Sequence, residues 1–549
     1  MARRLRSGFG LDSRTRCRWQ RSFTVPLLFA VVVARADGGG DPSQFKDRVQ
    51  ALHDRVVELA GEDDLLDTLY FGWSDRPYAR ATLAILVKVA ATLDCEVDRR
   101  GNGNGEIDDP TVSSMLQWAD DAIQRVIHAE PSPDFRPDRM RITEEDLSTL
   151  SSIPPLYAFI DSASSTSHHP VFGGLDILAA LGQRVHMRPI GGRGDNFPWR
   201  DFYQRANGLG MAIVRLPPDF GQGRPLSPSD TLPLWVVGLP TLRGAEEEAG
   251  TNLSWIPALW PVRTGESLAS SLARRGMVGG VLARSTYAAY RWMPPILEAR
   301  RENRLAALSA AMWVHALDGQ RLAFLETWRD MGGADGAAGP SIFLDPFQAE
   351  KIAYTSLDLL RLGNFVHAFA LHPILAFAVD RSAFARGDSE AREDIDPHEW
   401  APWAERIWSA MLDRQVAFDV GKKEAPCDEL QRRYRIVIPL ERPAGGEMAS
   451  LIAKSERRLA QDSEHVYRLT AREMDGTIAR DMFVRVGRTP EGKACAGIVN
   501  LSDRSRVLKL RGKPAIGPSR DVISNQEISE PDQRLELEPW QVRLLWPTA

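Results

Sequence analysis

Carboxylates that end predicted strands are the residues of this chain best placed to do chemistry. Glu326, Asp161 and Asp345 each end a short apolar run with the composition of a β-strand. In a barrel of parallel strands, a carboxylate at the carboxyl end of a strand lies at the mouth where such folds carry out their reactions. We therefore predict Glu326 and Asp161 as candidate catalytic carboxylates and Asp345 as a binding residue at the same mouth.

Each of these carboxylates also has a structural alternative. Glu326 could form a buried ion pair with Arg329 or with Arg291. Asp161 and Asp345 could cap the helices that follow their strands, which is an ordinary role for aspartate at such positions. The sequence leaves both alternatives open.

An acidic loop offers a further partner for Glu326. The loop follows the fourth predicted strand and contains Glu246, Glu247 and Glu248. A solvated run of charges is the structural alternative for all three. Glu246 therefore stands beside Asp161 as a candidate for the general acid.

Tryptophans are concentrated in the same part of the chain. Seven of the fifteen tryptophans fall within residues 199–328, and Trp260 and Trp328 lie in predicted loops or at strand ends. Because sugar rings stack their C–H faces on indole surfaces, we expect carbohydrate as the partner, with Trp260 and Trp328 as binding residues. His168, in a serine-rich loop just beyond Asp161, would lie at the same mouth. Core packing is the alternative for each tryptophan taken singly.

The stretch 98–109, rich in glycine and asparagine, has part of the pattern of a calcium-binding EF-hand loop. Asn102 and Asn104 fall on ligand positions three and five, and Gly105 falls at the sharp turn. Position one is Arg100, where the pattern needs an acid, and the glutamate of position twelve is missing. A polar turn is predicted, with bound calcium as the alternative.

Other motifs of metal and nucleotide chemistry are missing from the sequence. The chain contains no HExxH, GxSxG or Walker sequence, which argues against a zinc protease, an α/β-hydrolase and a nucleotide hydrolase. We predict no metal and no cofactor.

The candidate carboxylates must be positioned by alternating helices and strands. Within residues 151–370, four predicted helices end at a glycine that is followed at once by an apolar run, and about eight strand candidates result. Parallel strands need crossover helices, so this α/β pattern predicts a TIM-type (β/α)8 barrel, with an open doubly wound sheet as the alternative. Glu326 then ends strand seven, or strand eight if residues 69–73 supply an earlier strand.

The chain is long enough for several domains. It has 549 residues, of which 43% are hydrophobic and 26% are charged, and chains of this size divide into domains of about 100–200 residues. The predicted units are a signal peptide (1–36), an N-terminal helical region (37–150), the barrel (151–370), a flavodoxin-like α/β domain (371–470) and a C-terminal β-sandwich (471–549).

The first 36 residues have the pattern of an export signal. Eight arginines precede or flank an apolar run of about 12 residues, which is too short to span a bilayer, and Ala34-Arg35-Ala36 supplies a cleavage site. Cleavage would leave 60 basic and 72 acidic residues, a net charge of −12. We therefore expect a periplasmic or extracellular protein that binds neither nucleic acid nor, after cleavage, a membrane.

Three passages carry a resemblance to a known family. They are residues 304–330, residues 400–420 and residues 535–545. They resemble the late-barrel helix and strand, the second-domain opening and the C-terminal strands of the bacterial β-galactosidase family, whose second domain forms a trimer. The resemblance implies paired-carboxylate hydrolysis of a β-linked oligosaccharide or polysaccharide, with Glu326 as the nucleophile if it ends strand seven. It also implies homo-oligomerisation through residues 371–470.

The chain departs from that family at one motif. Barrel glycosidases of this kind usually place an asparagine before the acid/base glutamate, and the chain contains no Asn-Glu dipeptide. Two functions are therefore expected as alternatives: a glycoside hydrolase that uses Glu326, or a catalytically inactive barrel that binds carbohydrate.

Overall fold

Six helices lie in the described part of the chain. The computed structural model describes residues 42–60, 76–105, 107–130, 344–369, 468–489, 491–513 and 515–548, together with shorter stretches between residues 157 and 461. None of the helices in these ranges has both the length and the apolar composition of a membrane span. The helices are α1 (Pro42–Ala60), α2 (Pro77–Gly101), α3 (Asp109–Ile127), α4 (Arg301–Leu317), α5 (Pro346–Arg361) and α6 (Gly363–His367).

Helix α2 is longer than its apolar spacing predicts. The sequence indicates a helix over residues 80–93, whereas the helix begins at Pro77 and ends at Gly101. Proline suits the first helical position because no intrahelical partner is lost there. Arg99 and Arg100 extend the last turn, where cations stabilise the helix dipole.

The N-terminal helices pack against α5, which follows the predicted barrel strands. Tyr78 on α2 donates a hydrogen bond to Asp358 on α5 at 2.5 Å, and Arg125 on α3 forms an ion pair with Glu350 on α5 at 2.8 Å. The helical region therefore shares an interface with the middle of the chain.

Eighteen strands are described. Strands β1 to β7 are Tyr157–Asp161, Val185–Pro189, Ala212–Leu216, Thr231–Trp235, Leu253–Pro257, Tyr287–Arg291 and Arg321–Glu326. Strands β8 to β10 are Leu375–Val379, Phe418–Lys422 and Ile436–Leu440. Strands β11 to β18 are Arg468–Glu473, Met482–Arg488, Ala494–Asn500, Arg506–Lys513, Ser519–Asp521, Glu527–Ile528, Leu535–Leu537 and Val542–Pro547.

Five of these strands form one parallel sheet in the order β3-β2-β1-β7-β6. The first strand thus pairs with the last described strand of the unit. In a doubly wound sheet of Rossmann type the strand numbers rise with distance from strand one on both sides. Here they fall from seven to six on one side. A sheet that closes on itself has this order, so the strand order favours the barrel over the open sheet.

Strands β4 and β5 differ from the prediction. The sequence indicates parallel barrel strands at residues 234–239 and 254–259, but β4 and β5 pair antiparallel with each other. The pair forms a two-stranded sheet of its own, separate from the described parallel sheet. Strand β6 was not predicted, and the predicted strand at residues 277–283 lies outside the described residues.

A second parallel sheet follows in the order β10-β8-β9. Strand β8, which comes first of these three in the chain, lies between β9 and β10. Flavodoxin-like sheets begin with the same 2-1-3 order.

Two antiparallel sheets make up the C-terminal part, in the orders β11-β14-β17 and β12-β13-β18-β15-β16. Both contribute to a single core that includes Leu469, Ile498 and Leu545. The sequence predicts that residues 465–470 end the preceding domain, but β11 pairs with β14 instead. Gln415 fixes β11 from outside the sheets, because its amide donates to Ala471 O at 3.2 Å and accepts from Ala471 N at 2.6 Å.

Glycines allow the C-terminal sheets to pack closely on helices α4 and α6. A Cβ atom at Gly487 would lie 2.6 Å from the carbonyl oxygen of Ala368, just after α6, and one at Gly497 would lie 3.1 Å from Leu317 on α4. Phe365 on α6 also contacts Trp546 edge-to-face, with the two ring centroids 4.7 Å apart. The close approach therefore depends on the missing side chains.

Replacing Gly487 with alanine tests this interface. The new methyl group would meet a backbone oxygen that cannot move aside, so we expect Gly487→Ala to lower the free energy of unfolding by roughly 1–3 kcal/mol. Gly517→Ala is the matched control, because its Cβ would meet no atom within 4 Å. Urea denaturation followed by tryptophan fluorescence measures both. Equal stability of the two variants would contradict the close packing.

Candidate functional site

Asp161 and Glu326 are register partners at the carboxyl ends of neighbouring parallel strands. The pairing of β1 with β7 runs from Tyr157 opposite Leu322 to Asp161 opposite Glu326. Partners in register lie on the same face of a sheet, and neighbouring strands are about 4.8 Å apart. Two residues 165 positions apart in the sequence are thus brought together at one edge of the sheet.

The two faces of this sheet differ in composition. The face that carries neither carboxylate holds small or aliphatic residues along β1 and β7, namely Ala158, Ile160, Ala323 and Leu325. Such residues are typical of the face that helices cover in an α/β fold. The face of Asp161 and Glu326 holds the aromatic residues Tyr157, Phe159 and Phe324, the polar residue His186 and one aliphatic residue, Leu322. Arg291 and Arg321 lie on the opposite face, so it is the acidic residues of this sheet, rather than all its charged residues, that share one face.

Two arginines continue the row of Asp161 and Glu326. The register that pairs Ile160 with Met187 brings Arg188 level with Asp161, and Arg188 pairs in turn with Arg215 on β3. Neither arginine can be recognised as a site residue from the sequence, because each lies inside an apolar run and only the strand register shows its relation to the carboxylates.

The register bears on one structural alternative for Glu326. Arg291 pairs with Leu325 rather than with Glu326. Since adjacent positions along a strand lie on opposite faces, Arg291 and Glu326 are on different faces of the sheet. This argues against their ion pair, while Arg329 lies outside the described residues.

Asp345 has the capping role that was its structural alternative. It precedes α5, and its carboxylate accepts a hydrogen bond from the backbone N–H of Gln348 at 3.3 Å. The prediction of a strand that ends at Asp345 is wrong at its end, because Leu344 and Asp345 are not in a strand and lead directly into α5. Asp345 is 2% exposed, and its role in substrate binding stays a prediction.

The remaining predicted site residues lie outside the described residues. They are Glu246 with its neighbours Glu247 and Glu248, and Trp260, Trp328 and His168. Residues 1–36, the predicted signal peptide, also lie there. Their roles stay predictions.

Arg100 holds together the loop that resembles an EF-hand. Its guanidinium donates to Glu96 Oε1 at 2.9 Å, to Asp109 Oδ1 at 2.6 Å and to Ile107 O at 2.5 Å. Glu96 is fully buried and also accepts from Ile107 N at 3.3 Å. The acceptors of the loop thus converge on a guanidinium, and among the described residues no group of three or more His, Cys, Asp or Glu is arranged to hold a metal ion.

A polar cluster around Glu350 borders a cavity of about 180 Å³ between α2, α3 and α5. The Glu350 carboxylate accepts hydrogen bonds from Thr82 at 2.8 Å, Trp118 at 3.2 Å, Arg125 at 2.8 Å and Tyr354 at 3.2 Å. Burial, followed by the nearby Glu350 charge, raises the pKa of Tyr354 to about 12. These groups satisfy one another, so helix packing accounts for the cluster.

Comparison with known proteins gives only distant likenesses. No protein-family model matches the chain, and no curated protein matches it. An exo-carrageenase of family GH42 from Bacteroides ovatus is similar over 92% of this chain and 99% of its own, with 8% identity and a TM-score of 0.37. Gan42B, a GH42 β-galactosidase, is similar over 90% of this chain and 75% of its own, with 10% identity and a TM-score of 0.37.

A third structure is a GH27 β-L-arabinopyranosidase from Geobacillus stearothermophilus, similar over 74% of this chain and 99% of its own, with 11% identity and a TM-score of 0.22. All three matched structures are thus glycoside hydrolases. Because every TM-score is below 0.5, neither the fold nor the chemistry of this chain is inferred from them.

Replacing Arg100 tests whether a guanidinium takes the place of a loop cation. Arg100→Ala removes the positive charge beside the buried Glu96, so we expect the free energy of unfolding to fall by roughly 3 kcal/mol. Arg55→Ala is the control, because its pair with Glu58 is exposed and should change stability by less than about 1 kcal/mol. Calcium and EDTA should leave the melting temperature of the wild type unchanged. Stabilisation of the wild type by calcium would contradict this account.

Proposed function

We propose that this protein is an exported glycoside hydrolase that cleaves a β-linked oligosaccharide or polysaccharide with Glu326 and Asp161 as its paired carboxylates. The observation that supports this most is their register pairing at the carboxyl ends of β1 and β7. Retaining glycosidases need two carboxyl groups about 5–5.5 Å apart. Neighbouring strands are about 4.8 Å apart, which is close to that separation.

The two residues take different roles in this proposal. Glu326 attacks the anomeric carbon as the nucleophile, and Asp161 first protonates the leaving oxygen and then activates the water that releases the sugar. Two carboxylates at this separation repel each other when both are ionised, so one of them keeps its proton more readily than the other. That difference is what an acid and a nucleophile in one site require.

The remaining parts of the proposal come from the sequence. Trp260 and Trp328 are proposed as stacking surfaces for sugar rings, and Glu246 remains an alternative acid. Export follows from the signal pattern of residues 1–36, and homo-oligomerisation through residues 371–470 follows from the family resemblance.

The second candidate function is a catalytically inactive barrel that binds carbohydrate. The observation that favours it is the missing Asn-Glu dipeptide. Both functions share the sugar-binding surface, and they differ only in whether the carboxylate pair turns substrate over.

Variants of the two carboxylates test the hydrolytic proposal on aryl β-glycosides. Glu326→Gln removes the attacking charge, and we expect turnover to fall by at least about 1000-fold on every substrate. Asp161→Asn removes the proton donor. It should lower kcat/KM for a glycoside with a poor leaving group far more than kcat/KM for an activated dinitrophenyl glycoside, because only the poor leaving group needs protonation in the first step.

Glu58→Gln, on the exposed face of α1, is the control and should keep wild-type turnover. Wild-type turnover in Glu326→Gln would show that Glu326 is not the nucleophile. A wild type that binds but hydrolyses none of the glycosides would support the inactive barrel instead.

A further inference from the structure

The row that contains the two carboxylates has an unusual order of charges. Across four neighbouring strands the row reads Glu326 on β7, Asp161 on β1, Arg188 on β2 and Arg215 on β3. All four residues share one face and lie at or next to the carboxyl ends of their strands. The two negative residues are neighbours, and so are the two positive residues.

This order is unfavourable for folding alone. Like charges directly opposite each other on neighbouring strands destabilise a sheet, whereas alternating charges stabilise it. The same four residues in alternating order would form three favourable neighbours, but here only Asp161 and Arg188 are favourable. Departures from local stability of this kind are expected at functional sites.

The separation of charges divides the row into two parts. The carboxylates lie on β7 and β1, while Arg188 and Arg215 lie one and two strands beyond Asp161, at about 5 and 10 Å from it along the row. If Arg188 pairs with Asp161, Arg215 is still left beside a second positive residue. A negative group of the substrate at this part of the row would meet two neighbouring positive residues close to the reacting bond.

We infer that the site takes an acidic sugar, a glycoside whose ring carries a carboxylate or a sulfate group that Arg188 and Arg215 bind. Guanidinium groups bind planar and tetrahedral oxyanions through two parallel hydrogen bonds. The net charge of the chain favours neutral or cationic partners in general, so the arginine pair is a local exception that selects for the acidic group. This inference rests on the proposed function for hydrolysis but not for binding.

Equilibrium binding of S-linked methyl glycosides tests the inference without turnover. The probes are two matched pairs: the β-thioglucuronide with the β-thioglucoside, and the 6-sulfated β-thiogalactoside with the unsulfated β-thiogalactoside. The acidic member of at least one pair should bind at least about tenfold more tightly to the wild type, as expected for one charge-assisted contact. The pair that shows the preference identifies carboxylate or sulfate as the recognised group.

Variants assign the preference to the arginines. Arg215→Gln and Arg188→Gln should each remove most of it, and Arg215→Lys should keep part of it because lysine retains the charge but not the planar fork. Arg55→Gln, on the exposed face of α1, should leave it unchanged. If Arg188→Gln does not fold, the two Arg215 variants carry the test.

Three results would overturn the inference. The first is equal binding of acidic and neutral probes, and the second is no binding of either acidic probe. The third is an Arg188→Gln variant that loses turnover on neutral aryl glycosides and keeps the acidic preference, which would make Arg188 a positioning residue for Asp161. Hydrolysis of neutral glycosides without acidic preference would leave the proposed function standing. Acidic preference without hydrolysis would overturn the proposed function alone.

Discussion

The parallel pairing of β1 with β7 is the constraint on which the candidate site depends. Backbone hydrogen bonds between these strands set Asp161 opposite Glu326. Because side chains alternate between faces along a strand, a slip of one residue would move the two carboxylates to opposite faces. The aliphatic residues of the other face, such as Ile160 and Leu325, resist that slip, since it would exchange them with aromatic and charged residues.

Strand β7 is supported by elements from three parts of the chain. Helix α4 ends at Leu317, only four residues before β7 begins, and packs on β7. The same helix packs on α5, which carries the N-terminal helices, and on β13 of the C-terminal sheets. Gly497 on β13 permits the close contact of β13 with α4. Helix α4 is thus the common neighbour through which the outer parts of the protein stabilise the strand of Glu326.

Strands with a local signal were predictable from the sequence, whereas their pairing was not. Strands β1, β2, β3 and β7 lie where apolar runs predicted them, and Gly182 has the left-handed backbone, with φ of 81°, that ends a helix before a strand. Strand β6, with the sequence Tyr-Ala-Ala-Tyr-Arg, lacks an aliphatic run and was missed. The antiparallel pairing of β4 with β5 could not be predicted, because the composition of a strand does not show which strand it pairs with.

The site residues differ in the same way: some are predictable from the residues next to them in the sequence, and others only from the strand register. Glu326 and Asp161 were found because an acid at the end of an apolar run is a local signal. Arg188 and Arg215 were missed because their meaning depends on register across three strands. In the sequence, Arg100 is only the residue that breaks a calcium-binding pattern. Its contacts with Glu96 and Asp109 could not be predicted, because they form only in the folded loop.

Disulfide trapping between the register partners is the most direct test of the account. With Asp161→Cys and Glu326→Cys combined, the two Cα atoms should lie about 4.8 Å apart, within the range that a disulfide spans. The control combines Asp161→Cys with Leu325→Cys, whose positions lie on opposite faces. After mild oxidation and proteolysis, mass spectrometry should detect the cross-linked peptide in the first variant and not in the control. A cross-link in the control alone, or in neither variant, would contradict the register that brings Asp161 and Glu326 together.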